Sequence, residues 1–127
     1  MQIDPVKTYI ALAPDGQSTV LPGGDAFWSL PMAEIDQYGK HWLISEYAFD
    51  ADWPSWEMHP HADEFVYMLS GAADFVLKVD GAEQHIALKA GKAVLIPRGH
   101  WHTAKMTTPG RMLFFTRGEG TEHMSVS

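Results

Sequence analysis

Short apolar runs separated by turn signals make up most of this chain, and this alternation restricts the fold more than any other feature. The turn signals recur about every ten residues, and the apolar runs lack the spacing of a long amphipathic helix. The clearest signal is Asp80-Gly81, because Asp-Gly between two strand-like runs favours a tight hairpin turn with positive φ. Residues 89–92 and 107–110 are interpreted as further turns. The pattern predicts an all-β fold, either an antiparallel sandwich or a barrel.

Nine strands are predicted from the apolar runs. They cover residues 8–12, 18–21, 41–49, 65–70, 73–79, 83–88, 93–96, 103–106 and 112–116. Prolines and glycines interrupt residues 23–40, so this segment is predicted to be irregular. Residues 118–127 are predicted to form a loose tail.

Length and composition limit the class of protein. The chain has 127 residues, enough for one core, so a single domain is expected over residues 1–127. Apolar residues make up 46% of the chain, which excludes a disordered protein. The formal charge is -7 and the nine basic residues are scattered singly, so nucleic acid is not an expected partner.

Two absences in the sequence narrow the chemistry and the location. The chain contains no cysteine, so any metal must be held by nitrogen and oxygen atoms. It also has no basic segment followed by an apolar stretch at the N-terminus, and no apolar run long enough to cross a bilayer. We therefore expect a cytoplasmic protein without a membrane partner.

Two distant segments carry imidazoles and carboxylates beside apolar strands. They are residues 56–64, which read Trp-Glu-Met-His-Pro-His-Ala-Asp-Glu, and residues 97–102, which read Pro-Arg-Gly-His-Trp-His. Burying an ionisable group without a partner is costly, and a divalent cation is one partner that satisfies several such groups at once. The two segments therefore predict a metal site.

The second of these segments carries a specific spacing. Gly91 is followed after five residues by Pro97, then after one residue by Gly99, and after two more by His102. This spacing resembles the second motif of the cupin superfamily, although Met106 stands where that motif usually has asparagine. The resemblance implies a double-stranded β-helix, or jelly-roll, barrel with extra N-terminal strands and a core at about residues 47–116. It also implies that His102 is a metal ligand.

The first segment resembles the first cupin motif less closely. That motif begins with a glycine and continues with His, one residue, His, three or four residues, Glu, six residues, Gly. Glu64 and Gly71 fit its second half, and His59-Pro60-His61 supplies two histidines, but only two residues separate His61 from Glu64. Because side chains alternate along a strand, a regular strand cannot aim both histidines and Glu64 inward.

Three alternatives follow from the shortened spacing. A bulge or turn over residues 60–63 could restore convergence, and we favour this alternative because proline disrupts a ladder. In the second alternative, one histidine is a ligand and the other lines the entrance. In the third, the barrel binds no metal.

The resemblance implies a first coordination sphere and a set of supporting residues. The implied metal ligands are His59, His61, Glu64 and His102. They suit one divalent transition metal, which could be Fe, Mn, Ni, Cu, Co or Zn, and the sequence does not choose among these. Asp63 and His100 are expected either to orient a ligand histidine or to act as the general base of catalysis. His41, His85 and His123 lack this motif context and are interpreted as structural residues.

Two classes of function remain open at this point. The first is an enzyme in which the metal centre acts on a small oxygen-bearing metabolite, either as a dioxygenase or as an isomerase or lyase. The second is a non-catalytic barrel that binds or senses a small ligand or a metal. The enzyme is ranked first. The expected partners are a small molecule and a second copy of the chain, because a homodimer could cover strand edges and the apolar residues 26–32.

Overall fold

The computed structural model of the chain describes residues 1–126, which are mostly β-strand. The strands are β1 Thr8–Leu12, β2 Ser18–Pro22, β3 Trp42–Phe49, β4 Ser55–Met58, β5 Glu64–Val79, β6 Ala82–Lys89, β7 Ala93–Ile96, β8 His102–Thr116 and β9 Glu122–Ser125. Two short helices, α1 Asp25–Trp28 and α2 Met32–Asp36, lie between β2 and β3. Neither helix has the length or the hydrophobicity to cross a lipid bilayer, and the described residues contain no other candidate span.

The two longest strands, β5 and β8, run antiparallel through both layers of the fold. The first half of β5 and the second half of β8 belong to a first sheet, with the strand order β2-β1-β3-β8-β5-β7. The other halves belong to a second sheet, with the order β6-β5-β8-β4-β9. This arrangement confirms the predicted all-β jelly roll, in which β1 and β2 are the extra N-terminal strands.

Both long strands change sheets where two glycines approach each other. The register between β5 and β8 shifts between Met68 and Ala73, and Gly71 has a φ of 76°. A Cβ atom on Gly110 would overlap the carbonyl oxygen of Ser70 and lie 2.8 Å from its carbonyl carbon. Only glycine therefore allows the strands to cross this closely.

The sheet change corrects part of the strand prediction. Residues 65–70 and 73–79 form one bent strand rather than two, and so do residues 103–106 and 112–116. The predicted turn at residues 107–110 is a bend inside β8. The Pro-Gly pair in this segment signals a break in the straight course of the strand, which a sequence pattern cannot distinguish from a chain reversal.

The side chains between the two sheets form the main core. Its buried members are Trp53, Val66, Met68, Ala73, Phe75, Leu77, Leu88, Val94, Ile96, Ala104, Met112 and Phe114. A smaller core of Tyr9, Ala11, Leu21 and Phe27 lies under the N-terminal strands. Tyr47 packs against both cores, and its hydroxyl accepts a 2.9 Å hydrogen bond from Trp28 Nε1. The N-terminal strands are thereby fixed to the barrel.

Three further segments differ from the prediction. Residues 23–40 contain α1 and α2, and β4 was not predicted at all. The predicted loose tail contains β9, which pairs with β4 over four residues, while residue 127 lies outside the described residues. Strands β4 and β9 mix polar and apolar residues over only four positions each, so neither shows a clear period of two.

Candidate metal centre

Strand register places three polar side chains in one row across the second sheet. β4 pairs with β8 so that Glu57 lies opposite His102, and it pairs with β9 so that Glu57 lies opposite His123. On its other side, His102 lies opposite Leu77, a member of the main core. Side chains directly opposite each other on neighbouring antiparallel strands lie within contact distance. The sheet therefore brings the carboxylate of Glu57 next to the imidazole of His102.

Two more donors come from the segment that joins β4 to β5. His59 follows β4 directly and Glu64 is the first residue of β5. One donor atom each from Glu57, His59 and His102 lie within 4.8 Å of one another. Glu64 Oε2 lies 3.4 Å from His59 Nε2, and Glu64 Oε1 lies 3.1 Å from His102 Nε2. We call Glu57, His59, Glu64 and His102 the four-donor cluster.

Hydrogen bonds on the far side of both imidazoles fix their tautomers. His102 Nδ1 lies 3.1 Å from the carbonyl oxygen of His100, which can only accept, so Nδ1 carries the proton. His59 Nδ1 lies 2.7 Å from Thr121 Oγ1, whose hydroxyl donates to the carbonyl oxygen of Gly118 at 2.8 Å. Because a hydroxyl has one proton, Thr121 must accept from His59 Nδ1. In each neutral ring, Nε2 therefore presents a lone pair to the cluster.

The atoms at the centre of the four-donor cluster need a cation. His59 Nε2, His102 Nε2 and Glu64 Oε1 are buried and have no hydrogen-bond partner within residues 1–126. Leaving such atoms unpaired costs free energy, and lone pairs that face one another repel. A divalent metal held by imidazole nitrogen and carboxylate oxygen removes both costs. The donors present fit such an ion, and the cluster could bind one.

The cluster can also gain a positive charge when one of its imidazoles binds a proton. Burial on its own would raise the pKa of Glu64, but the neighbouring imidazoles of His102 and His59 outweigh it and lower that pKa to about 2. Burial on its own would lower the pKa of His102, but the Glu64 carboxylate outweighs it and the pKa is raised. In the metal-free protein, Glu64 and His102 thus favour an ion pair, and a metal would compete with its proton.

Aromatic side chains of the main core fix the ring of His102. Its imidazole stacks on Phe75 with an interplanar angle of 13° and a centroid distance of 5.9 Å. Trp53 contacts the same ring edge-on at 6.3 Å. The side chain of His102 has no solvent exposure and that of Glu64 is 3% exposed. The cluster therefore lies against apolar walls, where charge interactions are stronger than in water.

The two residues predicted to be catalytic both hold the turn before β8. Asp63 is exposed, and its Oδ1 accepts a 2.9 Å hydrogen bond from the backbone N–H of Arg98. His100 is half-buried, and its Nδ1 lies 3.1 Å from the carbonyl oxygen of Lys78. The backbone carbonyl of His100 also orients His102. Their predicted catalytic role stays a prediction.

His61 does not join the cluster, contrary to the convergence that we favoured from the sequence. The chain does bend over residues 60–62, but the side chain of His61 is 53% exposed and its Nε2 lies 3.9 Å from Glu119 Oε1. The arrangement matches the second alternative, with His59 at the site and the other histidine outside it. The physical reason is that β4 ends at Met58, so the bend that turns Glu64 inward comes after His59.

The sequence prediction missed Glu57. In the structure, Glu57 and His59 take the places that the prediction gave to His59 and His61. Glu57 and His59 are separated by one residue, and four residues separate His59 from Glu64. This spacing fits the first motif without a missing residue once a carboxylate replaces its first histidine. The spacing could have been recognised in the sequence, but because of the His-Pro-His run the motif was aligned two residues too far along the chain.

Comparison with known proteins identifies a family. The model of the cupin domain family matches residues 44–116, which is more than half of the chain. No curated protein matches the sequence. The matched residues include all four members of the four-donor cluster.

Solved structures similar to this chain share its fold at low sequence identity. A hydroquinone 1,2-dioxygenase in complex with Cd²⁺ and 4-hydroxybenzonitrile has a TM-score of 0.51 and 19% identity over 59% of this chain and 56% of its own. Vicilin from Solanum lycopersicum (tomato) has a TM-score of 0.53 and 17% identity over 68% of this chain and 25% of its own. An oxalate oxidase has a TM-score of 0.52 and 20% identity over 64% of this chain and 44% of its own. The chain thus spans between 25% and 56% of these proteins.

Proposed function

The chain belongs to the cupin domain family, and from this premise we propose that it is a metal-dependent enzyme acting on a small oxygen-bearing metabolite. The observation that carries the proposal is the four-donor cluster, in which three buried donor atoms face one another without a hydrogen-bond partner among the described residues. The reaction would be of the dioxygenase type or of the isomerase or lyase type. Two similar solved proteins are named as a dioxygenase and an oxidase, but they share only the fold with this chain.

We propose Glu57, His59, Glu64 and His102 as the residues that hold the metal. Two carboxylates and two neutral imidazoles together balance the charge of a divalent ion. Such a set suits Fe, Mn, Ni, Cu, Co or Zn, and octahedral coordination by four protein atoms leaves two positions for substrate or water. When bound, the metal would supply Lewis acidity toward a substrate oxygen or a redox couple for dioxygen.

The chain's own residues would prepare the site for that chemistry. Gly99 N–H donates to the carbonyl oxygen of His59 at 2.9 Å, and this bond ties the turn before β8 to the segment that carries His59. Phe75 and Trp53 exclude water from one face of His102. Asp63 and His100 remain our proposed proton-transfer residues, since each keeps a second polar side-chain atom besides the one in its hydrogen bond.

A second function, a non-catalytic barrel that binds or senses a small ligand or a metal, is favoured by one observation. The two proposed bases, Asp63 and His100, each use a side-chain atom to hold backbone rather than to face the cluster. If neither group transfers a proton, the metal would have no base beside it, and binding without turnover would be the better description.

Metal analysis and oxygen uptake test the proposal together. Protein purified without chelators or an affinity tag should contain close to one transition metal per chain. His102→Ala should lose most of it, whereas His85→Ala, an exposed histidine bonded to Asp74, should not. Metal-loaded protein that consumes dioxygen or converts a substrate from a panel of small phenols, diols and hydroxy acids would support the enzyme. Substrate binding without turnover would favour the binding barrel, and the absence of metal binding would contradict the enzyme.

We also propose that the chain forms a homodimer through the outer face of the first sheet. Strand register aligns one apolar side chain from each of its six strands. In sheet order they are Val20, Ile10, Ile44, Phe115, Phe65 and Leu95. Phe65 and Leu95 are exposed although their strand neighbours Val66 and Val94 are buried in the main core. A continuous apolar row on a sheet face suits packing against the same face of a second copy.

A further inference from the structure

We infer that the C-terminal segment, residues 116–123, positions the metal ligands, and that Thr121 and His123 are its main positioning residues. This inference rests on the proposed metal site. The segment would act through the atoms of the ligands that face away from the cluster, and none of its residues would touch the metal. It would fix which atom of each ligand is available for binding.

His123 is placed to hold one oxygen of Glu57. The two residues lie opposite each other on β9 and β4, and His123 Nε2 lies 3.2 Å from Glu57 Oε1. The other oxygen, Oε2, lies 3.9 Å from both His59 Nε2 and His102 Nε2. A hydrogen bond donated by His123 to Oε1 therefore leaves Oε2 directed at the cluster, and Glu57 would bind through one oxygen.

Thr121 is placed to select the tautomer of His59. Its hydroxyl donates its one proton to the carbonyl oxygen of Gly118, so it can only accept a hydrogen bond from His59 Nδ1. This requires a proton on Nδ1 and leaves the lone pair on Nε2, the atom that faces Glu64. A ligand histidine must have this lone pair free before a metal can bind.

The rest of the segment supports the same arrangement. Thr116 Oγ1 donates a hydrogen bond to Glu64 Oε2, so a third ligand is held from the same stretch of chain. A Cβ atom on Gly120 would lie 3.2 Å from the ring of Pro60, which shows how closely the segment covers the loop that carries His59. Three of the four donors thus depend on residues 116–123 for their orientation.

Cobalt binding by variants of the full chain tests this inference. Co²⁺ is a suitable probe because its visible spectrum reports the geometry of its ligands as well as its occupancy. Thr121→Val keeps the shape of the side chain but removes the acceptor, and His123→Ala removes the donor. We expect each to weaken Co²⁺ binding about 10-fold or more, as is typical when a partner of a ligand histidine or carboxylate is removed. Thr121→Ser should restore affinity to near that of the wild type.

A nitrogen NMR spectrum of the metal-free protein gives a readout that a purely structural role would not change. At about pH 8, where histidine is ordinarily neutral, the wild type should show His59 with its proton on Nδ1. Thr121→Val should shift His59 toward the other tautomer or toward a mixture. The proton on His102 Nδ1, which the backbone carbonyl of residue 100 accepts, should not change.

Two surface substitutions serve as matched controls. His85→Ala removes a surface histidine that contacts carboxylates on β5 and β6, and Thr19→Val removes an exposed hydroxyl on β2. Both should bind Co²⁺ like the wild type.

Binding by Thr121→Val and His123→Ala within about threefold of the wild type would overturn the inference, because removing a true positioning partner costs about 10-fold or more. If Thr121→Val fails to fold, His123→Ala and Thr121→Ser still decide the matter, since an equal tenfold loss in Thr121→Ser would contradict the role of the hydroxyl. A wild type that binds no metal would instead contradict the proposed function itself.

Discussion

Glu57 changes the chemistry of the proposed centre from that of a histidine-rich site. With His61 in its place, three neutral imidazoles and one carboxylate would have left a divalent ion with an excess positive charge. With Glu57, the two carboxylates offset both charges of the ion. Oxygen ligands are also harder than nitrogen ligands, so a set with two carboxylates suits a hard ion such as Mn better than a set with one carboxylate and three imidazoles.

Removing the carboxylate of residue 57 or the imidazole of residue 61 tests this ligand set. Glu57→Gln should weaken metal binding by more than the ~10–100-fold that is typical of outer partners, because it removes a charged ligand. His61→Gln should leave the affinity close to that of the wild type, since the imidazole faces Glu119. Isothermal titration with Zn²⁺ measures both. The opposite order of the two effects would mean that His61 is the ligand and Glu57 is not.

The pH dependence of stability distinguishes the metal-free from the metal-loaded protein. The pKa of Glu64 is lowered from 4.5 to about 2, so its stabilisation is present above pH 4.5 and lost as the pH falls toward 2. The pKa of His102 is raised above its ordinary 6.5, so its stabilisation is present below pH 6.5 and lost as the pH rises through the raised pKa. The pair therefore stabilises the metal-free protein most between pH 4.5 and 6.5.

Above pH 6.5, bound metal should have the opposite effect on stability from the Glu64–His102 pair. A ligand histidine must be neutral, so the stabilisation conferred by metal should increase as the pH rises above 6.5. Urea unfolding across this range, with and without saturating Zn²⁺, measures the two curves. Glu64→Gln should make both stability curves less dependent on pH in the range where Glu64 and His102 titrate. Parallel curves for the two forms would show that the metal does not compete with the proton on His102.

How far the sequence predicts single residues depends on whether a backbone motif fixes them. His102 lies in the cluster, and its segment could be recognised from the sequence because Pro97 and Gly99 favour a turn before it through their own backbone preferences. Its role as a metal ligand stays a prediction. Glu57 was not predicted, because the His-Pro-His run led us to start the motif two residues too late, and because the pairing of β4 with β8 that brings Glu57 to His102 joins segments far apart in the sequence. Thr121 and His123 were missed for the same reason, since their segment carries no strand pattern.

At the level of the elements, the fold depends on two long strands that serve both sheets. The predicted strands lie close to the observed ones, because each has an alternating or apolar pattern of its own. The sequence could not show that pairs of these strands are continuous, since a bend and a turn both use proline and glycine. The crossing of β5 and β8 shows that the proline and glycine mark bends within continuous strands and not turns between separate ones.

Gly110→Ala tests the tight crossing. The added methyl would overlap the carbonyl oxygen of Ser70, so one strand must move. We expect a loss of about 1–3 kcal/mol or more in the free energy of unfolding, as for other overpacked sites. Gly118→Ala is the control, because its nearest neighbour, Thr121 Oγ1, would lie at an ordinary 3.6 Å. Chemical denaturation compares them, and an equal effect of the two substitutions would argue against a steric requirement at residue 110.

At the level of the whole molecule, the main question is how the outer face of the first sheet is used. The sequence predicted a homodimer through residues 26–32, where Trp28 and Met32 are in fact 54% and 70% exposed. The apolar row on the sheet was not predicted, because it combines residues from six strands. The family match at residues 44–116 nearly coincides with the predicted barrel core, while a single domain over the full chain remains a prediction.

Replacing Leu95 by lysine tests the proposed dimer. Leu95 is 67% exposed at one end of the apolar row, so the change should cost little in the monomer but should place two like charges in a symmetric interface. Sedimentation analysis should show a dimer for the wild type and a monomer for Leu95→Lys. Trp28→Lys is the comparison for the interface predicted from the sequence. A wild type that sediments as a monomer at high micromolar concentration would contradict both interfaces.

Anomalous diffraction from crystals of the metal-loaded protein tests the central claim most directly, because it locates the ion without any assumption about activity. Data collected at the absorption edge of the bound metal should show one peak per chain, coordinated by Glu57, His59, Glu64 and His102, with His61 directed away toward Glu119. A peak coordinated by His61 instead of Glu57, or saturating metal with no peak between β4 and β8, would contradict the account.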